Sequence, residues 1–209
     1  MKFLSHRGLW TLPAEKNTPE AFLNSFAAGF GTETDLRDAL GQLVISHDLP
    51  DANALSADVF FELYASAKQN LPLALNIKAD GLQMLVRTAL EKYSISEYFL
   101  FDMSLPDALV SIRNGLTVFT RQSEYETEPF FYQQAAGVWI DCFHGEWLTT
   151  ETIARHLDAG KKVCLVSPEL HRRDPHAFWE QLSEMDLRNS DDVLLCTDRP
   201  AEAKGIIHD

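Results

Sequence analysis

Two carboxylates, Glu33 and Asp35, stand two positions apart in the segment Gly31 to Leu36, which we interpret as a β-strand. Residues two apart on a strand point to the same side, so the two carboxylates converge on one space. Their mutual repulsion would raise a pKa unless a cation lay between them. The pair therefore predicts a cation site; a solvent-facing pair of acids on an edge strand is the alternative.

Two histidines complete a possible reaction centre. His6, followed by Arg7, ends the first apolar run, and His47 follows a short run, Leu43 to Ile45, that is expected to return beside the strand of the carboxylates. One histidine at a strand end is more often structural than catalytic. Two of them beside paired carboxylates would bring an acid, a base and a metal ion together, and these are the groups that metal-assisted acid–base catalysis requires.

Short apolar runs alternate with helical stretches along the whole chain. The eight runs are Phe3-Leu4, Gly31 to Leu36, Leu71 to Ile77, Tyr98 to Phe101, Leu116 to Phe119, Gly137 to Ile140, Lys162 to Val166 and Val193 to Cys196. Eight alternations favour a compact α/β fold, a (β/α)8 TIM barrel in which residues 1–209 form a single domain. An open doubly wound sheet is the competing architecture. No linker or low-complexity tract indicates a domain boundary.

Polar residues end these runs, at the place where a barrel of this kind carries its active site. Asn76 and Lys78 alternate at the end of the third run and so share a face, where the lysine could neutralise a bound anion or simply be exposed. The other strand ends carry Asp102, Arg121, Asp141, Ser167, Glu169 and Asp198. An aspartate after a strand is also a common helix cap, so a structural role is equally open for the three aspartates.

Composition limits the partners. The chain has 18 basic and 31 acidic residues and a formal net charge of -13, which repels polyanions and argues against nucleic acid as a partner. No apolar run is long enough for a secretory leader or a membrane span. The three cysteines are widely spaced in apolar stretches, so we expect reduced core thiols in a cytoplasmic protein. The oligomeric state stays open.

The order and spacing of several short pieces resemble the glycerophosphodiester phosphodiesterase family. These pieces are His6-Arg7-Gly8, Asn17-Thr18 with Ala21-Phe22, Gly29, Glu33-Thr34-Asp35-Leu36, Gly41 and His47-Asp48. The resemblance implies a TIM barrel that binds Mg²⁺ or Ca²⁺ through Glu33 and Asp35. It also implies that His6 and His47 act as general base and acid, and that Arg7 holds a phosphoryl oxygen. Weaker agreement covers most of the remaining chain.

The chain departs from the family pattern at several positions. Asn76 stands where the family has a third glutamate ligand, which leaves two carboxylates and an amide oxygen for the cation. Asp102, Asp141 or Glu169 could supply a replacement carboxylate. Lys16 occupies the place of a glutamate before the Asn-Thr pair. The short spacer after His47 and the tract 166–171, where the family has a tryptophan, indicate a rebuilt substrate pocket.

The sequence thus predicts metal-dependent hydrolysis of a small-molecule phosphodiester, glycerophosphodiester-like or glycan-linked, with a role in lipid metabolism. Besides Arg7, the expected substrate-binding residues are Lys78 and Trp10, the latter because it lies close to His6 in the sequence; core packing is the commoner role of a tryptophan. Two alternatives remain. One is a phosphoester-binding barrel that has lost turnover, and the other is a metal-independent lyase that forms a cyclic phosphate.

Overall fold

The computed structural model of the chain describes residues 1–145, 147–185, 187 and 190–208. The strands are β1 (Lys2–His6), β2 (Gly31–Ala39), β3 (Gln42–Ile45), β4 (Leu55–Ser56), β5 (Leu73–Ile77), β6 (Tyr98–Phe101), β7 (Phe119–Gln122), β8 (Gly137–Ile140), β9 (Lys162–Val166) and β10 (Val193–Thr197). The α-helices are α1 (Pro19–Ala27), α2 (Ala57–Ser66), α3 (Gln83–Lys92), α4 (Leu105–Arg113), α5 (Thr150–Asp158), α6 (His176–Glu184) and α7 (Pro200–His208). Two short 3-10 helices span Pro13–Glu15 and Pro168–His171.

The residues fall into two compact units. One consists of residues 5–118, and the other of residues 1–4 together with 119–209. The alternation of strand and helix continues through both units, as the sequence predicts. That the whole chain forms a single domain stays a prediction.

In the unit of residues 5–118, β2 is paired on both sides. It runs parallel to β5, which in turn runs parallel to β6, and it forms an antiparallel hairpin with β3. The register of β2 and β5 places Asp35 opposite Asn76. Because the carboxyl ends of parallel strands share one edge, this register brings the predicted cation ligands together.

Helix α1 begins where the sequence predicts. The Thr18 hydroxyl accepts a hydrogen bond from the amide of Ala21, and Pro19 occupies the first turn, where its missing N–H costs nothing. Phe22 and Phe26 lie one turn apart and pack edge-on against Phe60 and Tyr64 of α2. This aromatic cluster forms the buried core beneath β2 and β5.

The second unit is built around the parallel strands β7, β8, β9 and β10, each paired with the next in the chain. Trp179 of α6 is fully buried, and its indole N–H donates to the hydroxyl of Ser167 at the end of β9. Cys142, Cys164 and Cys196 are free thiols, as expected. Within the described part of the chain, no helix has the length and apolar character that a membrane crossing would require.

Two strand predictions need correction. The fifth apolar run was expected at Leu116 to Phe119, but the strand is Phe119–Gln122, so Arg121 lies inside β7 rather than after it. Leu116 and Val118 are buried on the approach to the strand, which explains the early apolar signal. The two-residue strand β4 was missed because its sequence, Leu-Ser, carries no periodicity. The short strand expected beside β2 is confirmed as β3.

Candidate active site

The turn after β1 positions the first histidine and the arginine. Arg7 adopts a left-handed conformation with φ 62°, and its amide donates to the carbonyl of Glu33 at 2.9 Å. Gly8 follows with φ 88°, and a Cβ at that position would lie 2.7 Å from Cβ of Ala21. Only glycine fits there without a shift of α1, so the motif His6-Arg7-Gly8 directs both side chains through a backbone turn that few residues tolerate.

Glu33 and Asp35 are both buried, with 2% and 0% of their surfaces exposed. Burial first, and then the negative charge of Asp35, raise the pKa of Glu33 to about 8 against the opposing charges of Arg7 and Lys78. His6 lies beside this acid, with Nε2 3.8 Å from Oε2 of Glu33. The two carboxylates are therefore close enough to interact, as their spacing predicts. Burial and mutual repulsion disfavour the charged form of Glu33.

Positive and polar groups surround Asp35. Its Oδ2 lies 3.0 Å from Nε of Arg7 and accepts a hydrogen bond from Nδ2 of Asn17 at 3.0 Å. Its Oδ1 lies 3.5 Å from Nζ of Lys78. Lys78 also approaches Asp102, with Nζ 3.8 Å from Oδ2. Arg7 and Lys78, both predicted to meet the phosphate, thus converge on the carboxylate pair.

Three buried oxygen atoms of this cluster have no hydrogen-bond partner among the described residues. They are Oε2 of Glu33, Oδ1 of Asp35 and Oδ1 of Asn76. Orphaned buried acceptors are costly and rare, and each one calls for a reason. Carboxylate and amide oxygens are the donors that Mg²⁺ and Ca²⁺ prefer, so this set fits a hard divalent cation. Over the described ranges, no three His, Cys, Asp or Glu side chains gather as a metal site, and the proposed set has an amide oxygen as its third donor.

His47 lies just beyond β3, where the amide of Ser46 donates to the carbonyl of Asp35. Its side chain is 45% exposed, and Nδ1 lies 2.9 Å from Oδ1 of Asp48. A carboxylate only accepts, so Nδ1 carries the proton in the neutral ring and Nε2 keeps its lone pair. Within the described residues His47 makes no ion pair with either buried carboxylate, so its role beside His6 stays a prediction.

Trp10 has a structural contact near the site. Its indole N–H donates to the carbonyl of His6 at 3.0 Å, and Nζ of Lys16 lies 4.4 Å from the ring centroid. Lys16, which stands where the family has a glutamate, therefore covers part of the ring with a positive charge. These contacts hold the turn after β1, and a substrate contact of Trp10 stays a prediction.

The three candidate replacement acids differ in their surroundings. Asp102, which is partly exposed, accepts from Nδ2 of Asn76 at 3.4 Å and so contacts the cluster of Glu33, Asp35 and Asn76. In the other unit, Oδ1 of Asp141 lies 2.5 Å from Nε2 of His171. Glu169 has both oxygens engaged by neighbouring donors. Of the three, Asp102 is the one that the structure joins to Asn76.

Sequence reasoning assigned no role to Asn17. Its side chain connects the cluster, since Nδ2 donates to Asp35 while Oδ1 accepts from the hydroxyl of Thr34 at 2.9 Å. Asn17 has φ 60°, a left-handed conformation that asparagine tolerates better than most residues. Its position directly before the capping threonine was the available signal, because a turn there brings the side chain back to β2.

No protein-family model matches this sequence, and no curated protein sequence matches it. Solved structures do match over the whole chain. A protein from Galdieria sulphuraria, provisionally assigned as a glycerophosphodiester phosphodiesterase, superposes with a TM-score of 0.78 at 19% identity, over 100% of this chain and 98% of its own.

Two further structures are similar. A phosphodiesterase from Oleispira antarctica, solved in complex with the product sn-glycerol-3-phosphate, has a TM-score of 0.72 at 16% identity and covers 100% of this chain and 97% of its own. The glycerophosphodiester phosphodiesterase from Agrobacterium tumefaciens has a TM-score of 0.72 at 15% identity, with 100% of both chains covered. The predicted fold class is confirmed: the chain has the α/β TIM-barrel fold of these phosphodiesterases, which it resembles along its full length.

Proposed function

We propose that this chain is a phosphoric diester hydrolase that cleaves a small phosphodiester with the help of a divalent cation, Mg²⁺ or Ca²⁺. One observation carries the proposal: three buried oxygens without hydrogen-bond partners, on Glu33, Asp35 and Asn76, lie in one cluster beside His6 and Arg7. A cation would satisfy all three, and it would neutralise a pair of carboxylates that burial disfavours.

The substrate class follows from the charges of the cluster and from the similar structures. Arg7 and Lys78 are only about one-fifth exposed, so a phosphodiester that reaches them meets two cations that water screens weakly. The Oleispira antarctica relative holds sn-glycerol-3-phosphate as its product. We therefore propose a glycerophosphodiester-like or glycan-linked diester as the substrate, and with it a role in lipid metabolism. Because its thiols are free, we place this single-domain protein in the cytoplasm.

The proposed reaction is hydrolysis with two proton transfers. One histidine, His6, takes a proton from water as the water oxygen bonds to phosphorus. The bond from phosphorus to the leaving alcohol breaks, and His47, which enters this step as the imidazolium ion, gives the proton on Nε2 to that oxygen and becomes neutral. The products are a phosphomonoester and an alcohol, so atoms and charge balance.

The other residues bind and orient. Arg7 donates to a non-bridging phosphoryl oxygen, and Lys78 adds positive charge where negative charge grows in the transition state. Asn17 holds Asp35 in place through its amide. Glu33, Asp35 and Asn76 would hold the cation, which would supply Lewis-acid polarisation of the phosphoryl group.

The test is turnover of bis(4-nitrophenyl) phosphate by the full chain after EDTA dialysis, with and without added Mg²⁺ or Ca²⁺. We expect cation-dependent release of nitrophenol, and a fall of about 100-fold or more in kcat for His6→Ala. His47→Ala is expected to lose the same for a diester with a poor leaving group and less for nitrophenol, which departs without a proton. His144→Ala, at an exposed histidine that pairs with Tyr125, is the matched control and should be unaffected. Activity towards bis(4-nitrophenyl) phosphate that survives His6→Ala, or activity towards a diester with a poor leaving group that survives His47→Ala, would remove the mechanism.

A second candidate is a phosphoester-binding protein without turnover. The contact between Lys78 and Asp35 favours it, because an ammonium group already supplies the positive charge that a cation would bring. Calorimetry separates the two functions. Binding of a phosphoester that is unchanged by EDTA, together with no hydrolysis of any diester, would establish this second function and reject the first.

A further inference from the structure

A concave surface in the unit of residues 119–209 is lined by three arginines. The cavity has a volume of about 470 Å³ and is formed by the segment after β9 and the start of α7. Arg172, Arg173 and Arg199 line it. Two carboxylates, Glu169 and Asp174, line it as well, so the three guanidinium groups leave an excess of one positive charge there, which favours an anion in a chain whose formal net charge is -13.

Both carboxylate oxygens of Glu169, the first acid that lines this cavity, already accept hydrogen bonds. Oε1 of Glu169 accepts from the hydroxyl of Thr197 at 2.5 Å and from the amide of Asp198 at 3.0 Å, while Oε2 accepts from the hydroxyl of Ser167. These bonds tie Glu169 to the ends of β9 and β10. The carboxylate therefore ties the two loops together but keeps its negative charge, so three guanidinium groups face two lining carboxylates, Glu169 and Asp174.

The second acid is also engaged. Asp174 accepts from the amide of His176 at 3.0 Å and from its Nδ1 at 2.6 Å. The other ring nitrogen, Nε2, lies 3.1 Å from Oε1 of Glu202. Glu202 is also the partner of Arg199, but at 3.6 Å and with about half of both side chains exposed, so this ion pair is weak.

Two guanidinium groups keep donors for a ligand. Arg172 forms no ion pair or side-chain hydrogen bond with any described residue. Arg173 is fixed because its Nη2 donates to the carbonyl of Cys142, yet its Nε is buried without a hydrogen-bond partner in the described part of the chain. Arg173 therefore brings a fixed guanidinium group to the cavity wall, and Arg172 brings one that is not committed to another side chain.

The backbone amides of the three arginines are not free to bind a ligand. The amides of Arg172 and Arg173 donate to the carbonyls of Glu169 and Pro168, and the amide of Arg199 donates to the hydroxyl of Thr197. The free donors are thus planar guanidinium forks, which match a group with several oxygens of shared negative charge. A phosphate monoester dianion offers three such oxygens, and barrels of this fold often bind phosphate through the loops after their last two strands.

We propose that the loops after β9 and β10 form a binding site for a phosphate monoester dianion. Its residues belong to one unit and include none of those assigned above to hydrolysis. The inference is therefore independent of the proposed function, and each can fail without the other.

The test is a titration of the full chain with inorganic phosphate, followed by the ¹⁵N NMR signals of the arginine Nε–H groups. We expect saturable shifts of the signals from Arg172, Arg173 and Arg199. The double variant Arg172→Gln/Arg199→Gln should bind phosphate at least about tenfold more weakly. Arg155→Gln, at an exposed arginine on α5, is the matched control and should bind as the wild type does.

Dimethyl phosphate tests the charge requirement, because it has one negative charge and two blocked oxygens. It should bind at least about fivefold more weakly than inorganic phosphate. Unchanged phosphate affinity in the double variant, shifts confined to Arg7, or equal affinity for dimethyl phosphate would overturn the proposal. Should the double variant fail to fold, the single substitution Arg172→Gln, at an exposed side chain, gives the same test with a smaller expected loss.

Discussion

Asp35 and Asn76 lie opposite each other in the register of β2 and β5, and Oδ1 of each is buried without a hydrogen-bond partner among the described residues. The amide supplies an oxygen at the place where a carboxylate would add a negative charge. Cation affinity rises with the charge of the ligand set. Asn76 is therefore the residue whose chemistry most limits the affinity of the proposed site.

Substitution Asn76→Glu should raise the affinity for Mg²⁺ and Ca²⁺ by about tenfold, because it brings a third carboxylate to the buried oxygens. Calorimetric titration of EDTA-treated protein measures this. Asn76→Gln is the control, since it lengthens the side chain without adding charge and should not raise the affinity. Equal cation affinity in the glutamate variant and the wild type would place the cation elsewhere.

Glu33 makes the stability of the cation-free protein depend on pH. The pKa of its carboxyl is raised to about 8, whereas the unfolded chain loses this proton near 4.5. Between these values the folded state binds more protons, so stability falls as the pH rises. The free energy of unfolding by urea in EDTA should decrease from pH 5 to pH 8, and Glu33→Gln should flatten this slope. A slope that is unchanged in the variant would show that Glu33 is not its source.

His156 predicts an opposite dependence at lower pH. Burial lowers the pKa of its ring to about 4, while Nδ1 accepts from the hydroxyl of Tyr132 and Nε2 donates to Oε1 of Gln122. The unfolded chain takes up this proton near pH 6.5 and the folded protein only near pH 4, so stability falls as the pH drops through that window. The loss should reach about 3 kcal/mol. An NMR titration that finds the ring of His156 half protonated near pH 6.5 would contradict this account.

Gly8 should be less tolerant of a side chain than Gly115, another glycine with positive φ in the unit of residues 5–118. Gly8→Ala forces a left-handed residue and a Cβ 2.7 Å from Ala21, so it should cost well over the roughly 1 kcal/mol of the conformation alone. Gly115→Ala isolates that conformational part, because Gly115 has φ 73° and nothing within 4 Å of its Cβ position. Thermal denaturation of the two variants gives the comparison, and equal losses would mean that the close approach to α1 is relieved cheaply.

Features that depend on local spacing could be predicted from the sequence alone. The alternation of two along β2 placed Glu33 and Asp35 on one face, and the capping threonine with Pro19 located the start of α1. The hairpin from β2 to β3 was also predictable, because turn residues separate two runs of strand character. These features arise from neighbours in the chain, which is why pattern alone reveals them.

Features that depend on long-range contacts were not predictable in the same way. The bond from Asn17 to Asp35 joins residues 18 positions apart and requires a left-handed turn before α1. The raised pKa of Glu33 was foreseen as a repulsion between acids, but its largest cause is burial, which needs the packed structure. The arginine cavity brings together Arg172, Arg173 and Arg199, the last of which follows the other two by 27 and 26 positions, so the spacing of these residues in the sequence does not predict it.

The most direct measurement is the anomalous scattering of Mn²⁺, used in place of Mg²⁺, in crystals of the full chain. The account predicts an anomalous peak in contact with Glu33, Asp35 and Oδ1 of Asn76, at about 2.1–2.4 Å from each oxygen, with Lys78 moved away from Asp35. A structure in Mn²⁺ with no peak there, in which Nζ of Lys78 still lies against Oδ1 of Asp35, would contradict the central claim.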